Sequence, residues 1–326
     1  MKLNNINHII VLGGSVSSLS FLKLLKDNKI KYHFFTNERM LNDNLLDNKT
    51  LKNHLKSNKI KFTSTKNINK NKKIMKIITS KTLGVGFGQP WYIEKKLLNK
   101  FNNKILDFMG IPMPKYRGGA HYSWMILNDE RDGGCFLQNI NENTIQGSSD
   151  SGSYYVRYNY KYPKKLKTPN DFFIFSKKKE ISFFKNFLKK IRKNYSLTLK
   201  KIDEKKSIFF PRLKNNINGF IDWSNSADEI VRFINAFSDP YLGAITFLNG
   251  KKIYLKNASI IKKNNYHSFA SGLVLNKDRK GLIIAAKKGI MRVNFIRNIK
   301  LQSIKTGERL VTQNKMIQNS KKHLKI

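Results

Sequence analysis

Residues that could bind a ligand or move a proton are concentrated between positions 86 and 152. Gly86-Phe87-Gly88-Gln89 lies at the end of an apolar run that predicts a strand, and ligands of parallel sheets bind beyond such strand ends. Arg117-Gly118-Gly119 either grips a substrate phosphate or forms a loop that needs positive φ and a surface ion pair. Asp150-Ser151-Gly152 places a carboxylate in a turn. These segments are the first candidates for a functional site.

The cysteine and histidine content argues against a metal centre. Cys135 is the single cysteine and stands where the pattern predicts the entry to a strand, so we expect a structural thiol in a reducing cytoplasm. The six histidines show no metal-ligand spacing with carboxylates or cysteine.

No apolar run approaches the ~20 residues of a membrane span, and the start lacks a signal-peptide core. The sequence therefore predicts a cytoplasmic protein that binds no metal.

The elements that would position these residues follow an α/β pattern over residues 1–195. His8–Leu12 is an apolar run that ends at a Gly-Gly-Ser turn and precedes a helical pattern. Further strands are predicted at Tyr32–Thr36, Ile74–Ile78 and Thr82–Phe87. The polar stretch Asn37–Lys73 predicts a loop-rich region, and Ser176–Lys193 predicts an amphipathic helix. This alternation predicts a Rossmann-like domain with a mainly parallel sheet.

The pattern changes after a predicted linker at 196–206. Ser226-Ala227-Asp228-Glu229 is a capping box that predicts the start of a helix. Asn249-Gly250 between two apolar runs predicts a hairpin with a type I′ turn. Short strands are then predicted at Gly272–Leu275, Gly281–Ala285 and Ile290–Ile296. We therefore expect a small, mostly β domain of the OB-like barrel type at 207–311, followed by a basic tail at 312–326.

The charge of the chain is strongly positive. Lysine and arginine number 63 against 21 acidic residues, which gives a formal net charge of +42. Such a charge favours nucleic acid or a phosphate-bearing substrate as a partner. The lysines are also spread among many asparagines and isoleucines, as biased base composition would produce, and clusters such as Lys70–Lys73 are typical of solvated faces. The charge is compatible with both interpretations.

Ordered motifs provide the most specific signal. In the first half they are Gln89-Pro90-Trp91-Tyr92-Ile93, Met113–Ala120, Trp124–Asn128 and Asp150-Ser151-Gly152. In the second half they are Pro211-Arg212-Leu213, Gly219–Trp223, Ile234–Phe237 and Pro240–Ala244. Their order resembles that of the folate-dependent formyltransferases of the methionyl-tRNA and amino-sugar types. The resemblance implies a formyltransferase catalytic-type domain at 1–195 and a formyltransferase C-terminal-type β domain at 207–311.

The resemblance also implies three catalytic positions, two of which hold unusual residues. The family uses a strand-end Asn, a His two residues later and the Asp of an Asp-Thr-Gly turn. Counting back from Pro114, Asp107 takes the Asn position and Met109 the His position, while Asp150 retains the third. An ionised Asp107 donates no hydrogen bond, and Met109 has no strong donor. Losing one oxyanion donor costs about 3–4 kcal/mol of transition-state stabilisation.

Two features could restore the missing donors. Asp107 would be a donor if it were held protonated beside Asp150, because two close carboxylates can share one proton. His121, just after the Arg-Gly-Gly turn, is the candidate for the second donor. Without them, we expect little formyl transfer.

The family likeness implies transfer of a formyl group from 10-formyltetrahydrofolate to a primary amine. The amine would belong to a phosphate-bearing carrier, either methionyl-tRNA or an amino-sugar nucleotide. Gly86, Phe87, Gly88 and Gln89 match the pterin-binding segment, and Arg117 with Gly118 would contact the substrate. The alternative is a catalytically silent paralogue that binds folate, sugar nucleotide or RNA in the same cleft. The sequence leaves the acceptor and the oligomeric state open.

Tetrahydrofolate is expected to contact the segment Gly86–Gln89, because this segment matches the pterin site and lies at a predicted strand end. Titration calorimetry with a stable folate analogue measures this binding directly. The absence of both binding heat and a thermal shift at millimolar analogue would contradict the expectation.

Overall fold

A computed structural model gives the structure of the chain and describes residues 1–45, 47–140 and 153–322. Contacts divide the chain into two compact units that alternate along the sequence. Unit 1 comprises Met1–Lys115, Gly133–Tyr160 and Ser176–Ser207, and unit 2 comprises Tyr116–Asp132, Lys161–Phe175 and Ile208–Ile326. The continuous domain limits taken from the sequence stay a prediction.

Strands and helices alternate through the first two hundred residues, and strands predominate after them. Up to Lys201 the elements are β1 His8–Gly13, α1 Val16–Asp27, β2 Lys31–Thr36, α2 Glu38–Asn42, α3 Leu51–Ser57, β3 Thr63–Ser64, α4 Lys72–Ile77, β4 Thr82–Phe87, α5 Lys95–Lys100, β5 Ile105–Met109, β6 Arg117–Gly118, α6 His121–Leu127, β7 Asp132–Asn139, β8 Ser153–Lys161, α7 Pro169–Arg192 and β9 Lys200–Lys201. Those that follow are β10 Phe209–Phe210, α8 Asn215–Asn218, α9 Ala227–Ala236, β11 Ala244–Leu248, β12 Lys251–Lys263, β13 Val274–Asp278, β14 Gly281–Ala286, β15 Gly289–Arg297, β16 Leu310–Val311 and α10 Asn314–Ser320.

Unit 1 is built on a sheet of eight strands in the order β3-β2-β1-β4-β5-β7-β8-β9. The five strands β1 to β5 pair in parallel, whereas β7 is antiparallel to β5. Both faces of β1 are buried, because Ile9 and Val11 belong to one apolar cluster while Ile10 and Leu12 belong to another. This two-sided burial is typical of parallel strands covered by helices. The predicted Rossmann-like, mainly parallel architecture is confirmed.

An aromatic cluster connects the sheet to α7. The rings of Phe21, Phe87, Phe108 and Phe184 lie with neighbouring centroids 4.8–5.7 Å apart. All four side chains are buried, so the predicted helix at Ser176–Lys193 packs through its apolar face, although it begins earlier, at Pro169. The cluster supports the loop that follows β4, since Phe87 is the last residue of that strand.

The strand predicted at Ile74–Ile78 is wrong, because α4 occupies Lys72–Ile77. The Asn71 side chain accepts hydrogen bonds from the backbone N–H groups of Lys73 and Ile74 and so starts a helix there. The stretch Asn37–Lys73 is likewise more ordered than its composition indicates, with α2 and α3 capped by the side chains of Asn37 and Thr50. Asparagine is so frequent in this chain that its capping positions do not stand out in the sequence.

Unit 2 contains a six-stranded antiparallel sheet in the order β13-β14-β15-β12-β11-β16. The two edges approach each other through an antiparallel bridge between Leu273 and Arg309, so the sheet curls towards a barrel. The Asn249-Gly250 turn has φ of 48° and 76°, as a type I′ hairpin requires. The Ser226–Glu229 capping box starts α9. The predicted small barrel with one lead-in helix is confirmed.

None of the helices within the described ranges is long and apolar enough to cross a membrane.

A buried histidine pair in unit 1 makes stability depend on pH. His8 Nε2 and His33 Nδ1 share a hydrogen bond of 2.8 Å, and burial, reinforced by the nearby charge of His33, lowers the pKa of His8 to about 4. In the unfolded chain His8 would titrate near the ordinary value of about 6.5. The folded state therefore loses stability as the pH falls from the unfolded towards the folded pKa of His8.

We expect His8→Gln to reduce the loss of unfolding free energy between neutral pH and pH ~4, because Gln keeps a hydrogen bond but takes up no proton. Urea titrations at a series of pH values measure this difference. His267→Gln is the matched control, since His267 is exposed, and it should leave the pH profile unchanged. Identical slopes for wild type and His8→Gln would contradict the assignment.

Candidate functional site

The site begins where β4 passes β5. Gly86 lies opposite Asp107 in the parallel register of these strands. A Cβ placed on Gly86 would lie 2.5 Å from Asp107 Oδ1, which is closer than real Cβ atoms come to another atom. A side chain at position 86 would therefore displace the Asp107 carboxylate from this position.

The loop after β4 is held on both sides and leaves its tip open. The Gly14 N–H donates to the Phe87 carbonyl oxygen at 3.2 Å, and Gln89 Oε1 accepts from the Trp91 backbone N–H at 3.1 Å. Gly88 is exposed at the tip, with φ of 56° and no atom within 4 Å of the place a Cβ would take. Phe87 is buried in the aromatic cluster, so this residue can meet a ligand through its backbone only.

Asp107 and Met109 lie on the same face of β5, because side chains two residues apart in a strand point the same way. Both are half-buried. Gln138 of β7 stands opposite Asp107, and its Nε2 donates a long hydrogen bond of 3.4 Å to Asp107 Oδ2. An N–H donated to a carboxylate favours the ionised form. Gly86 and Gln138 therefore flank Asp107 on its two neighbouring strands.

Gln138 is a site residue that the sequence analysis missed. Its side chain is 2% exposed and stands at the end of the apolar run Cys135-Phe136-Leu137. A polar residue that continues a buried strand can indicate a site residue, because a buried amide needs a hydrogen-bond partner. The identity of that partner depends on the antiparallel register of β5 and β7, which the local sequence does not specify.

The other predicted residues do not all lie in one unit. Arg117, Gly118 and His121 belong to unit 2, whereas Gly86–Gln89, Asp107 and Met109 belong to unit 1. Asp150 lies outside the described residues.

The Arg-Gly-Gly segment forms a short strand. The Arg117 backbone N–H donates to the Ile208 carbonyl oxygen at 3.0 Å, and β6 pairs in parallel with β10. Gly118 has φ of 97°, and a Cβ there would lie 2.1 Å from the Phe210 carbonyl oxygen. The glycine therefore serves backbone geometry. The Arg117 side chain is half-buried.

His121 begins α6, and its ring centroid lies 3.9 Å from that of Tyr122. Both side chains are half-buried. This packing places His121 at a helix start next to an aromatic side chain.

A second carboxylate in unit 1 is fully buried and paired. Glu180 of α7 accepts hydrogen bonds from Ser17 Oγ at 2.8 Å and from Lys177 Nζ at 2.6 and 2.8 Å. Its side chain is 1% exposed, and such a charge persists in the interior only when it is paired. Burial, together with the charge of Glu180, raises the pKa of the Cys135 thiol, so this cysteine stays protonated and suits a packing role.

Within 1–45, 47–140 and 153–322, no group of three or more His, Cys, Asp or Glu side chains could hold a metal ion.

The C-terminal part of the chain matches a known family model. Residues 214–313 match the model described as formyl transferase, C-terminal domain. Over 229 residues the chain is 29% identical to the bifunctional polymyxin resistance protein ArnA of Wigglesworthia glossinidia brevipalpis. This match covers 66% of this chain and 33% of that protein. Over 202 residues it is 26% identical to methionyl-tRNA formyltransferase of Coxiella burnetii, covering 62% of this chain and 61% of the relative. The matches thus span a third and about three fifths of these relatives.

A solved structure shares the fold over most of the chain. A sugar 3N-formyl transferase, WlaRD, solved in the presence of dTDP and 5-N-formyl-THF, superposes with a TM-score of 0.64. The match covers 90% of this chain and 99% of that protein, at 18% sequence identity. This likeness shows that the fold extends across both units.

The close approach of Gly86 and Asp107 predicts a specific double-mutant result. Gly86→Ala should lower the free energy of unfolding by about 1–3 kcal/mol, because the added methyl group collides with the carboxylate. Asp107→Ala removes the colliding atoms, so Gly86→Ala should cost much less in that background. Urea denaturation of the four variants measures the coupling, which we expect to exceed about 0.5 kcal/mol. Equal costs in both backgrounds would show that the contact does not restrict position 86.

Proposed function

We propose that this chain, which matches the formyl transferase C-terminal domain over residues 214–313 and is similar to methionyl-tRNA formyltransferase, transfers a formyl group from 10-formyltetrahydrofolate to a primary amine. The observation that carries the proposal is the Asp107 carboxylate beside the open Gly86–Gln89 loop, at the carboxyl ends of parallel strands. Ligands of such sheets bind at this edge. The same segment matches the pterin-binding segment of the family by sequence.

The Gly86–Gln89 loop fits a flat ligand edge. Gly86 and Gly88 carry no side chains, and Gly88 is exposed with open space around its Cα. Backbone groups at the loop would therefore hold the pterin, while Phe87 and Gln89 keep the loop in place through the aromatic cluster and the bond to Trp91. The folate supplies the formyl group.

The reaction sets two electrostatic requirements. As the amine nitrogen bonds to the formyl carbon, negative charge develops on the formyl oxygen, and the nitrogen must lose a proton. Asp107 meets one requirement in each protonation state: ionised it accepts the proton, and protonated it donates a hydrogen bond to the oxygen. The Gln138 N–H favours the ionised state, while a second carboxylate nearby, for which Asp150 is the candidate, would favour the shared proton. Met109 meets neither requirement.

The amine acceptor is proposed to be carried on a polyanion, with methionyl-tRNA as the first candidate. The net charge of +42 supports this choice, as do the methionyl-tRNA formyltransferases among the relatives. An amino-sugar nucleotide is the second candidate, since the solved structure with the same fold is a sugar transferase. Arg117 is the proposed phosphate contact, and His121 the proposed second donor, in either case.

Salt dependence separates the two acceptors. Raising the salt from about 50 to about 200 mM should raise the KM for methionyl-tRNA by about a hundredfold or more, because several phosphate contacts are screened together. The KM for an amino-sugar nucleotide, with two phosphates, should change by less than about tenfold. Steady-state assays with each acceptor measure this, and turnover of the sugar nucleotide alone would reverse the order of the candidates.

Substitutions at the two unusual positions test the catalytic proposal. If missing donors limit the wild type, Asp107→Asn with Met109→His should raise formyl transfer by several powers of ten, from about 3–4 kcal/mol per donor with incomplete additivity. Asp150→Asn in that background should remove the gain. Asp132→Asn is the matched control, because Asp132 is exposed, and it should leave the rate unchanged.

A loss of activity in Asp107→Asn would show that the Asp107 carboxyl group itself contributes to the reaction. If the wild type is already active and Asp107→Asn lowers the rate, Asp107 takes part in the reaction, and the pH dependence assigns its state. Activity that falls as the pH rises through the pKa of Asp107 marks a protonated donor, whereas activity that rises marks an ionised base. A pH–rate profile of kcat/KM measures this. Inactivity of every variant with both acceptors, in protein shown to bind a folate analogue, would overturn the proposed reaction and favour the silent paralogue.

A further inference from the structure

Unit 1 contains a concave site beside β2 and the edge strand β3. A cavity of about 320 Å³ is lined mainly by Tyr32, His33, Lys59, Lys61, Phe62 and Lys73. Tyr32 and His33 are the second and third residues of β2, whereas Gly86 and Asp107 lie towards the carboxyl ends of their strands. The cavity is therefore separate from the formyl-transfer site.

The wall of this cavity carries positive charge without a counter-charge. Its lining residues include three lysines and a histidine and no Asp or Glu. Lys73 Nζ donates to Thr63 Oγ1 at 3.1 Å, which holds this ammonium group at the wall. Among the described residues, Lys59 and Lys61 make no side-chain hydrogen bond or ion pair. Like charges that converge on a concave surface create a positive potential that an anion relieves.

His33 adds a proton-sensitive group to the same wall. Its Nδ1 shares a hydrogen bond of 2.8 Å with His8 Nε2, and His33 lines the cavity. Burial and the charges of Lys73 and Lys31 lower the pKa of His33. A bound anion would offset those charges, so binding and proton uptake by His33 are coupled.

The remaining wall is aromatic. Tyr32 and Phe62 are half-buried and line the cavity beside the lysines. Its volume lies at the lower end of the range of small-molecule sites, which is about 300–1,000 Å³. Cations next to aromatic rings suit a ligand with an anionic group and a planar ring.

We propose that this cavity binds a small phosphate-bearing molecule of the mononucleotide class. The phosphate contacts Lys59, Lys61, Lys73 and His33, and the planar base lies against Tyr32 and Phe62. A concave site of this size accepts one such group and excludes a duplex, which favours a small ligand over RNA. The site is independent of the proposed formyl transfer.

Titration calorimetry of the full chain tests the proposal with inorganic phosphate, AMP and UMP as probes. We expect all three to bind and a nucleotide to bind more tightly than phosphate. Lys61→Met with Lys73→Met should weaken binding by about tenfold or more, which corresponds to about 1.4 kcal/mol. Lys56→Met is the matched control, because Lys56 is exposed on α3 and does not line the cavity, and it should have no effect. Formyl transfer should be the same in these variants.

A second readout comes from the histidine resonances. His33 is faced by His8 of β1, by Lys31 and Tyr32 of its own strand, by Lys59 and Lys61 before β3, and by Lys73 of α4. Saturating ligand should raise the pKa of His33 measured by NMR, while the resonances of the exposed His267 should not move on addition of ligand.

Three results would overturn the site. They are no binding of any probe, equal weakening by the Lys56→Met control, and binding of an RNA oligonucleotide that the mononucleotides do not displace. If phosphate binds as tightly as the nucleotides, the base makes no contact with Tyr32 and Phe62, and the assignment to the mononucleotide class is wrong.

Discussion

The close approach of Gly86 to Asp107 is the contact on which the candidate site depends. Parallel pairing of β4 and β5 brings the two residues side by side, and the missing Cβ leaves the space that the carboxylate fills. On the other neighbouring strand, the antiparallel register of β7 places the amide of Gln138 against the same carboxylate. One residue on each of the two flanking strands thus sets the position of this acidic group.

The two carboxylates near the middle of unit 1 are held in different ways. Glu180 is buried with the Lys177 ammonium group 2.6 Å away, so its charge is compensated. Removing Lys177 alone would leave this charge without its ion-pair partner and lower the free energy of unfolding by about 3–5 kcal/mol. Asp107 is half-buried on β5, between β4 and β7, and receives an amide N–H. Glu180 therefore suits a structural role, whereas Asp107 remains partly accessible to a ligand.

The positive charge of the chain contributes differently in different places. Many lysines lie on exposed faces, where single charges are screened by salt and contribute little to stability. Three lysines line the cavity beside His33, and no Asp or Glu is among the lining residues. Composition alone does not tell whether the excess of lysine has a function. Where the fold makes the surface concave, neighbouring lysines create a local positive potential.

Local sequence determined the class of the fold and part of the site. Periodicity predicted the parallel sheet and the barrel, the Asn249-Gly250 turn predicted its hairpin, and the ordered motifs indicated a resemblance to the formyltransferases, because each of these signals lies within a short stretch of chain. It failed at Ile74–Ile78, where the Asn71 cap outweighed a short apolar run. Only the tertiary structure decided that Gln138 faces Asp107 and that three lysines share a cavity. Register and concavity arise between segments far apart in the chain, and no local pattern specifies them.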